Sequence, residues 1–359
     1  MKTTFFPSYT IGSDAYRGIV KICMPYGNKA VVIGGERAIN AAENKIKGAV
    51  EESSLKITGF FNFGGEASVE NIERLKEIPE VKDADMIFAV GGGKAIDTGK
   101  VLAHTTDKPF FTFSTIASTC ASCTSLGILY YPDGSLREYS ISNIPPVHIF
   151  IDSEIIANAP DKYLWAGIGD SMAKYFETSV SSRGDELAHS QAMGVYLANM
   201  CSEPFLKYGE KALNDCRNHT VSSELEEIIM GIIVSTGFAS NLVSMDITSG
   251  LAHAVYNGFT VLPRIEEYGH LHGEIVSYGI LILLIVDRQK EEFERIFRFN
   301  KRLGLPTKLS DLHSSTKDID KVIEKALKGI DLNHYPYKVT PEMIKEAMES
   351  LEAYNESYK

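Results

Sequence analysis

Short apolar, β-rich runs alternate with longer helical stretches through the first half of the chain. Residues 30–34 (AVVIG) form a compact apolar run, followed by Gly35 and a helical stretch over 36–49. A second strand is expected over 57–63 and a helix over 69–76 (VENIERLK). Residues 85–90 predict a third strand that runs straight into Gly91-Gly92-Gly93, with a helix over 94–104 behind it. Further strands are expected over 109–116 and 147–152. Strands and helices in strict alternation imply βαβ units around a parallel sheet.

The pattern changes between residues 126 and 141. Two β-rich runs, LGILYY and REYSI, flank Pro132-Asp133-Gly134. Proline fixes φ and glycine accepts a positive φ, so this is a turn and the segment reads as an inserted hairpin. After about residue 160 the texture is helical. Segments 190–200, 224–243 and 275–290 carry apolar residues at helical spacing. Thr340 is placed to cap a last helix that begins at Pro341. The expected organisation is an α/β nucleotide-binding half over 1–160 and an all-helical half over 161–359.

Composition narrows the function classes. At 359 residues the chain is long enough for two domains and a sizeable core. Its formal net charge is −11, and no dense Lys/Arg run is present, so nucleic acid is not an expected partner. No run of about 18 uninterrupted apolar residues occurs, so a membrane span is not expected. The first residues, MKTTFFPSYTIGSDAYRG, lack the apolar core of a signal peptide. Five scattered cysteines fit reduced thiols rather than a disulfide framework. A cytoplasmic enzyme that takes a small molecule and forms a homo-oligomer is expected.

The glycine loop carries the first chemistry. A buried strand that ends in three glycines and opens a helix brings backbone N–H groups and a positive dipole end to one point. That is a pyrophosphate site, although a glycine turn without a ligand has the same local pattern. The loop is neither G-x-G-x-x-G nor a P-loop. Asp97 and Lys100 lie three apart on one helix face, the spacing of an ordinary ion pair.

The stretch G-G-G-x-x-x-D-x-x-K resembles the cofactor loop of the iron-containing alcohol dehydrogenase superfamily, which includes glycerol dehydrogenase and dehydroquinate synthase. The resemblance implies a Rossmann-like NAD(P)-binding domain followed by an all-α metal-binding domain, the dehydroquinate synthase-like fold. It implies cofactor contacts from Gly91, Gly92, Gly93, Lys94 and Asp97. The stretch Ser114–Cys120 resembles the family loop beside the nicotinamide, which assigns hydroxyl contacts to Thr115 and Ser118.

The histidines by themselves decide less. His253 lies in an apolar helical stretch, where a satisfied core residue fits as well as a ligand. Asp170 follows Gly167-Ile168-Gly169 at an expected loop-to-helix junction, where capping is the simpler role. The resemblance changes this. LWAGIGDSMAK, AHAVYNGFTVLP and LHGEIVSYG are similar, in order, to the family segments that hold its metal ligands. They match Asp170, His253 and His272 as metal-binding and catalytic residues. His270 falls outside the pattern. One carboxylate and two imidazoles suit Zn²⁺ with an open position. Family members with a third histidine tend to use iron, so Fe²⁺ is the alternative.

The implied reaction is metal-assisted hydride transfer between a CH–OH carbon and a nicotinamide. Where the glycerol dehydrogenase branch has an aspartate, this chain has Cys120, a neutral residue that does not repel an anion. The stretches T-I-A-x-T-C-A and A-H-A-V-x-N-G-x-T-V-L-P and the tail IDKVIEKA resemble the hydroxycarboxylate dehydrogenase branch more closely. A 2-hydroxy acid or 2-oxo acid is therefore expected, with Cys120 on the substrate side and glycerol or another polyol as the alternative. A dehydroquinate synthase-like lyase fits less well, because the ligand segments are poor in Lys and Arg. Cys120-x-x-Cys123 is read as part of the substrate loop rather than as a redox pair. Glu36 after the first strand favours NAD, while Gly35 and Arg37 leave room for the 2′-phosphate of NADP.

Overall fold

A six-stranded parallel sheet forms in the first half of the chain because its inner strands are apolar on both faces. The computed structural model describes residues 3–358, so Met1 and Lys2 of the N-terminal stretch and Lys359 lie outside it. The strands are β1 (Ser8–Ile11), β2 (Lys29–Gly34), β3 (Lys56–Asn62), β4 (Met86–Gly91), β5 (Phe110–Ser114) and β8 (His148–Ile151). They are ordered β1-β8-β5-β4-β2-β3, with every pair parallel. Val32, Phe88, Phe113 and Phe150 pack on one side with Tyr16, Ile19 and Ile46. Val31, Ile33 and Ile87 pack on the other with Leu75 and Leu102. A sheet buried on both faces needs continuous apolar strands, which is what the sequence supplies.

The sheet order has one reversal that positions the site. From β2 the chain steps outward to β3, and from β4 it steps the other way through β5 to β8. The crevice at the C-terminal ends of β2 and β4 is the topological switch point, where ligands of such sheets bind. Gly35 and Gly91–Gly93 both lie there. The hairpin of β6 (Gly127–Tyr130) and β7 (Leu136–Ser140) pairs antiparallel, as its turn residues predict. Gly134 has φ +84°, and its N–H donates to the Tyr131 carbonyl at 2.9 Å.

Strand β1 has no counterpart among the expected strands. It is short and carries little apolar patterning. Its register is held by His148 on β8, whose Nδ1 pairs with Ser8 Oγ at 2.7 Å and whose Nε2 pairs with Thr10 Oγ1 at 2.9 Å.

After Ile151 the described residues contain only helices and connections. The expected helix over 275–290 starts earlier, at His272, and stops at Val286. Asp287 and Arg288 break it, with Arg288 at φ +59°, and a new helix runs over Lys290–Leu303. The Ser223–Leu242 stretch is helical throughout but passes through a π-helical turn at Gly231–Ser235. It is long and apolar enough to cross a membrane, yet 61% of it is buried within this fold, as a core helix would be. Thr340 accepts from Met343 N–H and caps the Pro341–Ser357 helix.

Candidate active site

Three helices bring the site together. Asp170 lies in the middle of the Lys162–Ser181 helix, His253 near the start of the Leu251–Phe259 helix, and His272 is the first residue of the His272–Val286 helix. The placement of Asp170 corrects the expected loop-to-helix junction. Gly167 and Gly169 do not break the helix; they let another backbone approach it. A Cβ on Gly169 would lie 2.3 Å from the Gly273 carbonyl oxygen, and one on Gly273 would lie 1.9 Å from that of Ala166. No side chain fits between these helices, and that contact sets His272 beside Asp170.

The result is a compact donor set. His272 Nε2 lies 3.0 Å from Asp170 Oδ1, and His253 Nε2 lies 3.6 Å from the same oxygen. One ligand atom from each of the three residues falls within 4.8 Å of the others, the one such grouping among the described residues. Glu177 fixes His253. It is fully buried and accepts from His253 Nδ1 at 2.6 Å and from the His253 backbone N–H at 2.9 Å. A carboxylate on Nδ1 turns the Nε2 lone pair toward the centre and raises its basicity. The Tyr256 ring stands edge-on to His272, with centroids 4.1 Å apart.

Electrostatics give the same reading. Burial alone would push His253 down, but Glu177 and Asp170 outweigh it and hold the imidazole up at about 10. Burial would push Asp170 up, yet the two imidazoles hold its carboxyl well below the usual carboxylate range. Two carboxylates in a half-buried pocket call for positive charge at the point where the three donors converge. An oxygen and two imidazole nitrogens at that point fit a divalent metal of the zinc or iron class. His270 points elsewhere. Its Nδ1 pairs with Glu274 at 2.8 Å and its Nε2 with His313 at 2.9 Å.

The glycine loop is built for close approach. Gly91 ends β4 at φ +146°, a conformation L side chains avoid, and a Cβ on Gly92 would lie 2.4 Å from Ile116 Cδ1. The Gly93–Thr105 helix has no side-chain cap and no acidic residue in its first turn. Its leading N–H groups are therefore open to a diphosphate. Thr115 is buried behind this loop and donates its N–H to the Gly91 carbonyl at 3.2 Å; Ser118 is half-exposed. Glu36 is exposed at the start of the Glu36–Val50 helix, after β2.

Two of the expected cofactor residues, Asp97 and Lys94, make side-chain contacts within the protein. Asp97 is buried, with Oδ1 2.9 Å from Lys100 Nζ and Oδ2 accepting from Ile128 N–H at 3.3 Å. Both oxygens serve the fold, so the expected cofactor contact from Asp97 has no support in its placement. Lys100, fully buried, also donates to the carbonyls of Ala121 and Leu126. This pair shapes the loop that carries Cys120. Lys94 pairs with Glu66 and lies over the Tyr130 ring at 5.5 Å.

Cys120 is half-exposed, and burial pushes its thiol upward, so the side chain is neutral. All five cysteines are free. Glu177 and Lys174 were not foreseen from the sequence. Both were marked by spacing: Asp170, Lys174 and Glu177 at i, i+4 and i+7 share one helix face.

Residues 7–153 match the iron-containing alcohol dehydrogenase family model. Hydroxycarboxylate dehydrogenase A of Escherichia coli (strain K12) is 33% identical over 91% of this chain and 90% of that protein. This chain belongs to the iron-containing alcohol dehydrogenase family. Glycerol dehydrogenase of Thermotoga maritima is 34% identical over 83% of the chain and 82% of its own length. The crystal structure of a probable glycerol dehydrogenase from Sinorhizobium meliloti 1021 covers all of both chains, with a TM-score of 0.86 and 28% identity. The fold is the family's: a Rossmann-like parallel sheet and an all-α remainder. The protein is a dehydrogenase that acts on a CH–OH group, within a metal-dependent, NAD(P)-using family.

Proposed function

We propose that the protein is a zinc enzyme that interconverts a small 2-hydroxy acid and its 2-oxo acid with NAD(H) or NADP(H). The observation that carries the substrate class is Cys120. A neutral thiol stands in the substrate loop at a position where the glycerol dehydrogenase branch has a carboxylate, so an anionic substrate meets no like charge there. The similarity to a hydroxycarboxylate dehydrogenase supports the same reading.

Asp170, His253 and His272 would hold the metal, and Glu177 would hold His253 in the ligating orientation. A divalent metal bound there supplies Lewis acidity toward the substrate oxygen. Zinc is favoured because the extra histidine, His270, is engaged with Glu274 and His313 and adds no third imidazole. The N-terminus of the Gly93–Thr105 helix would take the cofactor diphosphate, with Thr115 and Ser118 beside it and Glu36 near the adenosine ribose. The protein would work in the cytoplasm as a homo-oligomer, with no nucleic-acid or membrane partner.

A second reading is a glycerol or other polyol dehydrogenase. More of the similar proteins carry that name than the hydroxycarboxylate one. One assay separates them: purified protein with Zn²⁺ and NADH or NADPH against 2-oxo acids, glyceraldehyde and dihydroxyacetone. Preference for 2-oxo acids supports the first reading; preference for the neutral carbonyls replaces it with the second.

A further inference from the structure

We propose that Lys174 is the residue that binds the carboxylate of the substrate and so selects 2-oxo acids over neutral ketones. The inference rests on the substrate class proposed above and names the group that recognises it.

Lys174 sits one helical turn after Asp170, on the same face of the Lys162–Ser181 helix. It is half-buried, and its one hydrogen-bond partner is the Thr248 carbonyl oxygen at 3.2 Å. An ammonium has three donors, so two remain for a ligand. Among the described residues no carboxylate lies within 4 Å of its Nζ. The other lysines around the cleft are paired: Lys100 with buried Asp97, and Lys94 with Glu66. A lysine withdrawn from solvent normally has a counter-ion. Lys174 holds a local positive charge without one, in a chain whose formal net charge is −11.

Its neighbours locate that charge at the substrate side. The Thr248 carbonyl lies just ahead of the helix that carries His253. The ammonium also draws the Cys120 and Cys201 thiols downward against the larger effect of burial, while Asp170 pushes the same thiols up. Lys174, Asp170 and Cys120 therefore share one neighbourhood. A 2-oxo acid with its carbonyl oxygen directed at the metal trio has its carboxylate on the adjacent carbon. A cation one helical turn from Asp170 fits that arrangement. A polyol has no group that needs this charge.

The test uses the zinc-loaded protein and substrate pairs that share a methyl ketone but carry a carboxylate or a neutral hydroxymethyl beside it, such as pyruvate and hydroxyacetone. Lys174→Met keeps the aliphatic stem and removes the ammonium; Lys174→Arg keeps the charge. A charge-assisted hydrogen bond predicts that Lys174→Met lowers the ratio of kcat/KM for the 2-oxo acid to that for the ketone by about ten- to a hundredfold. Lys174→Arg recovers a good part of that ratio. Calorimetry with oxamate, an unreactive 2-oxo acid analogue, gives an independent readout: Lys174→Met weakens its binding by a similar factor. An equal loss with both substrates and unchanged oxamate binding assigns Lys174 a structural role and overturns the proposal. Wild-type protein that reduces 2-oxo acids, with a ratio unmoved by Lys174→Met, overturns it while leaving the proposed function standing. Wild-type protein that reduces the ketones and no 2-oxo acid overturns the proposed function itself.

Discussion

Glu177 takes two hydrogen bonds from His253, one from the backbone N–H at 2.9 Å and one from ring Nδ1 at 2.6 Å. It thereby sets both where the imidazole stands and which nitrogen is free. Glu177→Gln keeps the size but lets the side-chain amide donate, which favours the tautomer with its proton on Nε2, the nitrogen that faces Asp170. The expected outcome is a fall in zinc affinity of about ten- to a hundredfold, read by competition with a chelating dye. Unchanged affinity would show that His253 does not depend on this partner.

The buried pair of Lys100 and Asp97 holds the loop that carries Cys120, because Lys100 also donates to Ala121 and Leu126. Asp97→Ala leaves a buried ammonium without its counter-charge. It should cost about 3–5 kcal/mol of stability by urea unfolding. Replacing both partners with apolar residues of similar volume should cost much less. Equal losses in the single and the double variant would contradict this account.

His148 links the edge strand β1 to the sheet through Ser8 and Thr10. It is 4% exposed, and burial pushes its imidazole down to about 4. The folded state therefore keeps it neutral, while the unfolded chain takes up a proton below pH 6.5. The stability this contributes is present above pH 6.5 and is lost as pH falls from 6.5 toward 4. By pH 4.5 the loss amounts to about 3 kcal/mol. His148→Gln should remove that part of the pH dependence from urea midpoints; an identical pH profile in wild type and variant would refute it.

Cys120→Asp tests the substrate loop. A carboxylate there repels an anionic substrate and can accept hydrogen bonds from a polyol. Turnover of 2-oxo acids should fall and turnover of dihydroxyacetone should rise, compared as kcat/KM. Improved 2-oxo acid use would reverse the assignment of Cys120.

The strands of the sheet were legible because each is a run of β-branched or aromatic residues that ends in a glycine or a turn. β1 was not, because SYTI has weak patterning and its place depends on His148, 140 residues from Ser8. Asp170 was singled out as a metal ligand through the family resemblance, but its setting was misjudged. Gly167 and Gly169 look like helix breakers locally, and only the approach of the Ala117 backbone to the first and of the Gly273 backbone to the second shows what they are for. Asp97 looked like a cofactor residue because it follows a glycine loop that resembles a cofactor loop, yet its partners lie inside the fold. Glu177 and Lys174 were visible as a helical spacing from Asp170. Their roles came only with the neighbours they meet, His253 and Thr248, which are remote in the chain.

The proposed metal site consists of three donors, Asp170, His253 and His272. Zinc bound per chain, measured by plasma mass spectrometry after dialysis, tests them together. Wild type and His270→Ala should retain about one zinc per chain, as expected for a site with three protein ligands, while His253→Ala and His272→Ala should lose it. Full zinc retention by His253→Ala, or its loss in His270→Ala alone, would contradict the assignment.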